Sequence, residues 1–266
     1  MPELAEIRIM ADYINSVCDQ KDFTSIAFSE SANSRGLGIV QPSDLQIFSI
    51  SAEAKGKELM VSLIQGERII KISFSMGMSG YWKMIGPNEE PPKHTHFKFN
   101  SISFHSLCLV DVRRFAKWKQ TEDWSKNRGP CPVNEHDSFL QNITESLSKS
   151  AFSKPICEVL LDQRYFNGIG NYLRAEILYR ASQDPFEEAR KALSKNPLIT
   201  KLCKRIPLEA YQLGGGQLKD WESPFKIPRF SFEQWIKCYG KSQKKIDGTG
   251  RAIWYHDTQL KPKVIS

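Results

Sequence analysis

The chain has little cysteine, and its six cysteines are scattered so that no two stand at a Cys-x-x-Cys spacing. A zinc finger or ribbon needs close ligand pairs to build a tetrahedron, so the pattern argues against a structural zinc site and predicts no metal. We expect the thiols to be buried, reduced and to act as small hydrophobes, at Cys18, Cys108, Cys131, Cys157, Cys203 and Cys238.

Long apolar runs are also missing. The sequence has no stretch of about eighteen apolar residues, and its first residues lack a basic segment followed by an apolar core. We therefore expect neither a membrane span nor a signal peptide, and a soluble, intracellular protein without a membrane partner. Internal repeats and low-complexity tracts are absent as well.

A moderate basic excess is present instead. In 266 residues, 37 Lys and Arg stand against 30 Asp and Glu, which gives a formal net charge of +7. Such an excess suits a polyanionic partner, and nucleic acid is the first expectation. With 40% apolar residues, the chain is long enough for two modest domains, each with its own core.

The first part of the chain predicts a helix followed by short strands. Apolar residues recur at helical spacing from Leu4 to Cys18, and Glu3 and Glu6 in the first turn would complement the helix dipole. The next hundred residues follow period two between turn residues, which predicts about eight short strands in an antiparallel sandwich. The predicted strands lie near 22–28, 46–52, 59–64, 70–74, 80–85, 97–99, 102–104 and 107–112.

One hairpin of this sandwich is predicted from aromatic residues. We expect Phe97 and Phe99 to face Ile102 and Phe104 across a turn at Asn100-Ser101.

The second part predicts helices, after a domain boundary in the polar stretch 120–135. We expect a domain of residues 1–125 and a second of residues 126–266, and an α+β, multi-domain fold. Ser153 is a plausible N-cap and Pro155 suits a first helical turn. Phe232–Tyr239 and Arg251–His256 are predicted to pair as a terminal hairpin, within residues 230–257. The predicted helices are 136–149, 154–163, 171–182, 186–195 and 198–213.

The N-terminal pair Pro2-Glu3 is a candidate catalytic element. Removal of Met1 would leave a proline secondary amine, which titrates near pH 8, about 2 units below a lysine side chain. An uncharged secondary amine is a nucleophile and forms an iminium with a masked aldehyde. Many chains begin Met-Pro-Glu with an idle terminus, so this pair alone decides nothing.

A second candidate is the segment Asp162-Gln163-Arg164-Tyr165-Phe166-Asn167-Gly168-Ile169-Gly170-Asn171-Tyr172-Leu173-Arg174-Ala175-Glu176. Two glycines ahead of a helix let backbone N–H groups approach a phosphate, and a helix N-terminus adds positive potential. The alternative is an ordinary interhelical turn. The whole segment, however, closely resembles the helix-two-turns-helix element of the Fpg/Nei family of DNA glycosylases.

Other motifs follow in the order of that family over most of the chain. They are Pro2-Glu3, Gly56-Lys57, Gly77-Met78-Ser79-Gly80, Asp111-Val112-Arg113-Arg114-Phe115 and the double turn. Arg128–Cys131 and the run Pro155–Arg180 resemble most the endonuclease VIII-like 1 branch of eukaryotes and large DNA viruses. The resemblance implies an N-terminal helix with an eight-stranded sandwich, then a helical domain with a C-terminal hairpin.

The resemblance also implies catalytic roles. Pro2 matches the nucleophile that attacks C1′ of the damaged nucleotide, and Glu3 matches the carboxylate that assists ring opening and proton transfer. Lys57 matches the lysine that reaches a phosphate near the lesion, and Glu6 is a weaker match. No cofactor or metal is implied.

DNA-contacting residues are implied in the same way. Met78, Arg113 and Phe115 match the residues that fill the space left by an extruded base, which fits an apolar wedge and a guanidinium that binds the orphaned base. Gly170 and Asn171 match the phosphate-binding turn. Only Cys238 is available where most members have four zinc-binding cysteines, so the finger is expected to be zinc-less, with Arg251 reaching DNA phosphates.

Two departures from the family pattern bear on these expectations. Leu4-Ala5 replaces the usual residues after Pro2-Glu3, and Gly216 stands where the vertebrate relative has a lysine or arginine in the base-reading loop. Lesion preference is therefore expected to differ.

The sequence thus predicts a bifunctional DNA glycosylase and AP lyase acting on oxidised pyrimidines and hydantoins by β,δ-elimination. Its partner would be damaged DNA, as duplex, bubble or single strand, bound by a monomer in the nucleus or at a viral site of replication in the cytoplasm. The alternatives are a non-enzymatic protein that binds damaged DNA, and an RNA-binding protein that uses the same helical turn.

Overall fold

The structure is a computed structural model that describes residues 2–29, 45–216 and 228–260. Its contacts divide the chain into two compact units. The first holds Pro2, Glu6–Ser125 and Gly216, and the second holds Glu3–Ala5, Lys126–Gly215 and residues 228–260. The α+β fold class is confirmed by the helices and antiparallel sheets of these units.

The first unit is a sandwich of two four-stranded antiparallel sheets, as predicted. The sheet orders are β1-β6-β7-β5 and β2-β3-β4-β8. The bounds of its strands are β1 Phe23–Phe28, β2 Ser49–Lys55, β3 Glu58–Gln65, β4 Arg68–Ser75, β5 Tyr81–Ile85, β6 Thr95–Ser101, β7 Ser106–Val110 and β8 Lys117–Gln120.

Aromatic side chains join the two sheets. Phe74 of one sheet lies with its ring centre 5.0 Å from Trp82 and 5.1 Å from Phe97 of the other. The Phe97 ring centre also lies 5.4 Å from that of Trp118, which belongs to the same sheet as Phe74. Such edge-to-face pairs combine a large buried area with favourable ring geometry, and they form the centre of this unit.

The N-terminal helix is confirmed with its predicted bounds, as α1 at Leu4–Cys18. The Asn15 side chain donates to the Ala52 carbonyl at 2.9 Å and accepts the Ala52 N–H at 2.7 Å, which ties the helix to β2. The Met84 N–H donates to the Tyr13 hydroxyl at 2.8 Å, so the same helix is bound to β5 of the other sheet.

The predicted pairing of Phe97 and Phe99 with Ile102 and Phe104 is wrong. β6 continues through Ser101, and its partners are in β7, with Phe97 opposite Leu109 and Phe99 opposite Leu107. Ile102 and Phe104 lie in the connecting turn, where they are 49% and 80% exposed. A hydrogen bond from the Ser101 N–H to the His105 carbonyl closes that turn. The chain therefore re-enters the sheet at Ser106 and not, as expected, at Ile102. The strand β8 was also missed, because only its Trp118 is buried.

The second unit is helical and ends in a hairpin. Helices are present at all five predicted segments, as α2 His136–Ser146, α3 Ile156–Val159, α4 Asn171–Arg180, α5 Ala189–Lys195 and α6 Leu198–Gln212. The helix α3 covers only Ile156–Val159 of the predicted segment 154–163. Ser153 is not its N-cap, because Ser153 ends a 3₁₀ turn and Pro155 occupies the N-cap position without a side-chain hydrogen bond. The fully buried residues of its core include Phe139, Phe152, Phe166, Leu173, Ile177 and Leu202.

Polar side chains hold the double turn between α3 and α4. The Gln163 amide donates to the carbonyls of Leu161 and Ile169, both at 2.9 Å, and its oxygen accepts the Gly168 N–H. Gly168 has φ +98°, which favours glycine at this position. Asn167, fully buried, donates to the Gly129 carbonyl at 2.9 Å. The two turns therefore form one hydrogen-bonded block ahead of α4.

The terminal hairpin is present, but its first strand was placed wrongly. Phe232 lies in a helix, α7 Arg229–Trp235, and the pair consists of β9 Gln243–Ile246 and β10 Ala252–Tyr255. Residues 237–239 are kept out of a strand because their N–H groups donate to the Glu176 carboxylate.

All six cysteines are buried and free, as predicted. Among the described residues, no helix is both long and apolar enough to cross a membrane. Within residues 2–29, 45–216 and 228–260, no three His, Cys, Asp or Glu side chains are grouped as metal ligands would be.

Candidate active site

Glu3 is buried in the second unit, and its carboxylate lies at the N-terminus of α4. Oε1 accepts the Tyr172 N–H at 3.0 Å and Oε2 accepts the Leu173 N–H at 3.2 Å. The first N–H groups of a helix have no partner within it, and the helix dipole favours a negative charge there. These hydrogen bonds go to α4, a helix remote in sequence, whereas the sequence prediction considered only the dipole of α1, which Glu3 directly precedes.

Gly170 makes this contact possible. It is the N-cap of α4, with φ −131°, a backbone conformation that other residues also adopt. A Cβ atom at this position would overlap the Glu3 carboxyl group. The glycine is thus required by the close approach of Glu3 and not by the backbone.

Tyr239 and Asn171 lie near Glu3. Burial raises the pKa of Tyr239, and the nearby Glu3 carboxylate raises it further, against the lowering effect of the polar Asn171 side chain. The Tyr239 ring centre lies 6.3 Å from that of Tyr172. Sequence reasoning did not single out Tyr239, because a tyrosine near a hairpin gives no signal of a carboxylate so far away in sequence.

Glu6, Pro2 and Lys57 belong to the first unit. Glu6 is buried, and its Oε1 accepts the Gly216 N–H at 2.7 Å, which joins α1 to the start of the glycine-rich loop. Pro2 is buried as well.

Lys57 is half-buried in the tight turn between β2 and β3, after Gly56 with φ +58°. The neighbouring Glu58 carboxylate is buried and accepts the hydroxyl groups of Ser73 and Ser125. These contacts fix the base of the turn that carries Lys57.

Met78, Arg113 and Phe115 lie on two loops of the first unit that touch each other. Met78 is 36% and Phe115 45% exposed, and the Arg113 guanidinium lies 5.0 Å from the centre of the Phe115 ring. Gly77 adopts φ +60°, and a Cβ there would lie 2.6 Å from the Phe115 Cβ. The structure therefore brings the loop of Met78 against the loop of the other two predicted residues.

The hairpin is anchored on α4 by a buried ion pair. Arg174 and Asp247 have 0% and 1% of their side chains exposed, and Arg174 Nη1 lies 2.5 Å from Asp247 Oδ2. Arg174 also donates to the Cys157 carbonyl at 2.8 Å and the Ala252 carbonyl at 3.0 Å. Asn171 donates to the same Ala252 carbonyl at 3.1 Å, so the start of α4 and the hairpin share a contact.

Asp247 also organises the tip of the hairpin. Its Oδ1 accepts the N–H groups of Thr249 at 2.9 Å and Arg251 at 3.0 Å, and its own N–H donates to the Arg251 carbonyl. Glu158 binds the Gly248 N–H at 2.8 Å. The backbone of Arg251 is therefore held on both sides while its side chain is exposed.

Comparisons with known proteins agree with this geometry. The model of the formamidopyrimidine-DNA glycosylase N-terminal domain matches residues 1–118. Endonuclease 8-like 1 of Homo sapiens is 36% identical over an alignment that covers 96% of this chain and 72% of that protein. The chain belongs to the Fpg/Nei family of DNA glycosylases. Formamidopyrimidine-DNA glycosylase of Zymomonas mobilis is 30% identical over 93% of this chain and 92% of its own.

Solved structures show the fold of the family. A Lactococcus lactis Fpg mutant, in complex with a Fapy-dG containing DNA, superimposes with a TM-score of 0.81 at 22% identity over 98% of this chain and 100% of its own. MutM (Fpg) of Thermus thermophilus gives a TM-score of 0.78 at 23% identity, over 97% and 98% of the chains. The expected family fold is thereby confirmed.

Sequence reasoning missed the buried charges of the site. Arg174 and Glu176 are two residues apart on α4, and such charges usually face solvent, yet both are fully buried. The available signal was that the polar residues of α4 are spread round the helix and leave no single polar face, so that not all of them could face solvent.

Gly170→Ala is expected to lower the free energy of unfolding by about 1–3 kcal/mol, because the added methyl group displaces the Glu3 carboxylate. Urea unfolding measures this change. Gly86→Ala is the matched control, since a Cβ there meets only the Glu89 side chain at an ordinary 3.9 Å. Equal effects of the two substitutions would contradict the close packing of Glu3 on Gly170.

Asp247→Asn is expected to cost about 3–5 kcal/mol of unfolding free energy at neutral pH, since it leaves the buried Arg174 charge unpaired. Glu233→Gln, in the exposed pair Arg229–Glu233, serves as control and should cost about 1 kcal/mol or less.

The Asp247 effect should also depend on pH. Burial alone would raise the pKa of Asp247, but hydrogen bonds from Thr249 and Arg174 outweigh it and hold the pKa below its ordinary 3.8. The stabilisation is therefore present above that value and lost as the pH falls through the lower folded pKa. The difference in stability between wild type and Asp247→Asn should shrink in acid, and a constant difference down to the acid transition would contradict an ionised Asp247.

Proposed function

We propose that the chain is a bifunctional DNA glycosylase and AP lyase that removes oxidised pyrimidines and hydantoins through a Schiff base on Pro2. The observation that carries the proposal is the Glu3 carboxylate, which follows Pro2 directly and is held by the Tyr172 and Leu173 N–H groups. A buried carboxylate costs several kcal/mol unless it is bound in this way, and a fixed carboxylate beside a nucleophile suits proton transfer.

The first step uses the amine that Pro2 presents once Met1 is removed. The Pro2 nitrogen forms a bond to C1′ of the damaged nucleotide, and the bond between C1′ and the base breaks, so that the base leaves with the electron pair and takes up a proton. Opening of the sugar ring then gives an iminium between Pro2 and C1′. Glu3 is the residue we assign to proton transfer in ring opening, and Glu6 is a second, weaker candidate.

The later steps cut the DNA strand. The iminium acidifies the C2′ proton, and its loss expels the phosphate on the 3′ side. A second elimination expels the phosphate on the 5′ side and leaves a one-nucleotide gap. Neither step consumes a cofactor, and the proposal requires no metal. Lys57 would hold a phosphate close to the lesion and so aid base removal.

DNA would be held by the remaining site residues. We assign Met78, Arg113 and Phe115 to the space left by the extruded base, because two of them expose large apolar side chains beside a guanidinium. Asn171 and Gly170 with its neighbouring N–H groups, together with Arg251, would bind phosphates, so affinity should fall steeply with salt. Glu3 accepts the N–H groups of Tyr172 and Leu173, and groups within the turn accept those of Gly168 and Ile169. We therefore assign the N–H groups of Gly170 and Asn171 to this role.

The rival function is a protein that binds damaged DNA without catalysis. Intact Pro2, Glu3 and Lys57 favour the enzyme. Intact-mass spectrometry separates the two cheaply, because a retained Met1 turns the Pro2 nitrogen into an amide that is not a nucleophile.

The enzymatic proposal is tested by borohydride trapping on duplex DNA that carries thymine glycol or a hydantoin. The wild type should form a covalent adduct in the presence of borohydride, and should release both elimination products in a parallel reaction without it. Pro2→Gly, and a variant with one glycine inserted before Pro2, should lose trapping by roughly 100-fold or more, and Lys57→Leu should slow base removal. Lys83→Leu, an exposed lysine of β5, is the control.

Two results would contradict the proposal. One is the lack of any adduct with these lesions and with an abasic site, in a protein whose Pro2 is shown to be free. The other is undiminished trapping by the variant in which Pro2 is preceded by glycine.

A further inference from the structure

Asp111 is a fully buried carboxylate beneath the two loops that carry Met78, Arg113 and Phe115. It lies directly after β7, and the mechanism above gives it no role. A buried carboxylate must be hydrogen-bonded to be tolerated, so its partners indicate what the charge does in the fold.

The first carboxylate oxygen joins the two loops. Oδ1 accepts the hydroxyl group of Ser79 at 2.5 Å and the N–H of Arg113 at 3.2 Å. The Arg113 N–H also lies 3.3 Å from the Ser79 oxygen, so the three groups form a closed triangle. Ser79 is the residue after Met78, and this triangle therefore fixes one loop against the other.

The second oxygen closes the far end of the Arg113 loop. Oδ2 accepts the N–H of Ala116 at 2.7 Å, next to Phe115. The Asp111 carbonyl accepts the N–H of Arg114 at 3.2 Å, and Arg114 adopts φ +56° within this tight turn. One carboxylate thus sets both ends of the segment from which Arg113 and Phe115 project.

The sandwich supports Asp111 from below. The Asp111 N–H donates to the His94 carbonyl at 3.0 Å, and the His96 Nε2 contacts the Asp111 carbonyl at 3.1 Å. The backbone of Asp111 is therefore bound to His94 and to His96 of β6 on the side away from the two loops. Direct packing of Gly77 on Phe115 adds a second contact between the loops.

We propose that Asp111 is a positioning residue that joins the two loops, so that Met78, Arg113 and Phe115 enter the space left by an extruded base together. The inference rests on the proposed function in one respect, the assignment of these three side chains to that space. It does not depend on Pro2 chemistry. The proposal predicts that Asp111 increases the preference of the protein for duplex DNA that lacks a base over undamaged duplex DNA.

The experiment compares binding to two duplexes by fluorescence anisotropy, one with a tetrahydrofuran abasic analogue and one undamaged. The ratio of the two affinities is the readout, because a generally weakened protein would lose both alike. Asp111→Asn should lower the ratio about tenfold, and Ser79→Ala about threefold. Glu122→Gln, an exposed carboxylate of the same unit, makes the same charge change and should leave the ratio unchanged.

A double-variant cycle tests the coupling. If Asp111 acts through Phe115, the fold-decrease of the affinity ratio in the double variant Asp111→Asn/Phe115→Ala should be smaller than the product of the fold-decreases in the two single variants. A wild-type ratio in Asp111→Asn, equal loss of both affinities, or independent losses in the cycle would overturn the proposal. Should Asp111→Asn fail to fold, an unchanged ratio in Ser79→Ala overturns it. If the wild type fails to form a borohydride-trapped adduct but still prefers the abasic-analogue duplex, and Asp111→Asn lowers that preference, only the lyase mechanism is contradicted.

Discussion

The interaction on which the site depends is the pair of hydrogen bonds from the N-terminus of α4 to the Glu3 carboxylate. It places a charge that follows Pro2 in sequence at a helix end built to receive an anion. Gly170 is the condition for it, because any larger residue would overlap the carboxyl group. The double turn in front of α4, fixed by Gln163, determines where that helix begins.

The same helix carries the hairpin. Glu176 receives the N–H groups of residues 237–239, and Arg174 pairs with Asp247 below the tip that presents Arg251. A buried ion pair adds little net stability compared with apolar packing, but breaking it is costly, so it specifies one position of the hairpin. In this chain, hydrogen-bonded charges bind the hairpin and the residues before it to α4.

Much of this could be predicted from the sequence, because the motifs are local. Periodicity predicted α1 with its bounds, and the motif order indicated Pro2, Glu3 and Lys57 and the loops of Met78 and Phe115. The partners of the buried charges could not be predicted, because each partner is remote in sequence. Glu3 binds residues 172 and 173, Arg174 binds Asp247, and Asp111 binds Ser79. The hairpin strand was misplaced for a similar reason, since the remote Glu176 binds the N–H groups of residues 237–239, while Phe232 lies in α7.

The central claim is that the Pro2 nitrogen, beside a carboxylate held by α4, is the nucleophile. The most direct measurement is tandem mass spectrometry of the borohydride-trapped, nuclease-digested adduct. The account predicts that the remnant of the sugar is found on the α-nitrogen of Pro2 in a peptide that lacks Met1. A remnant on Lys57 or another lysine side chain, with Pro2 unmodified, would contradict it.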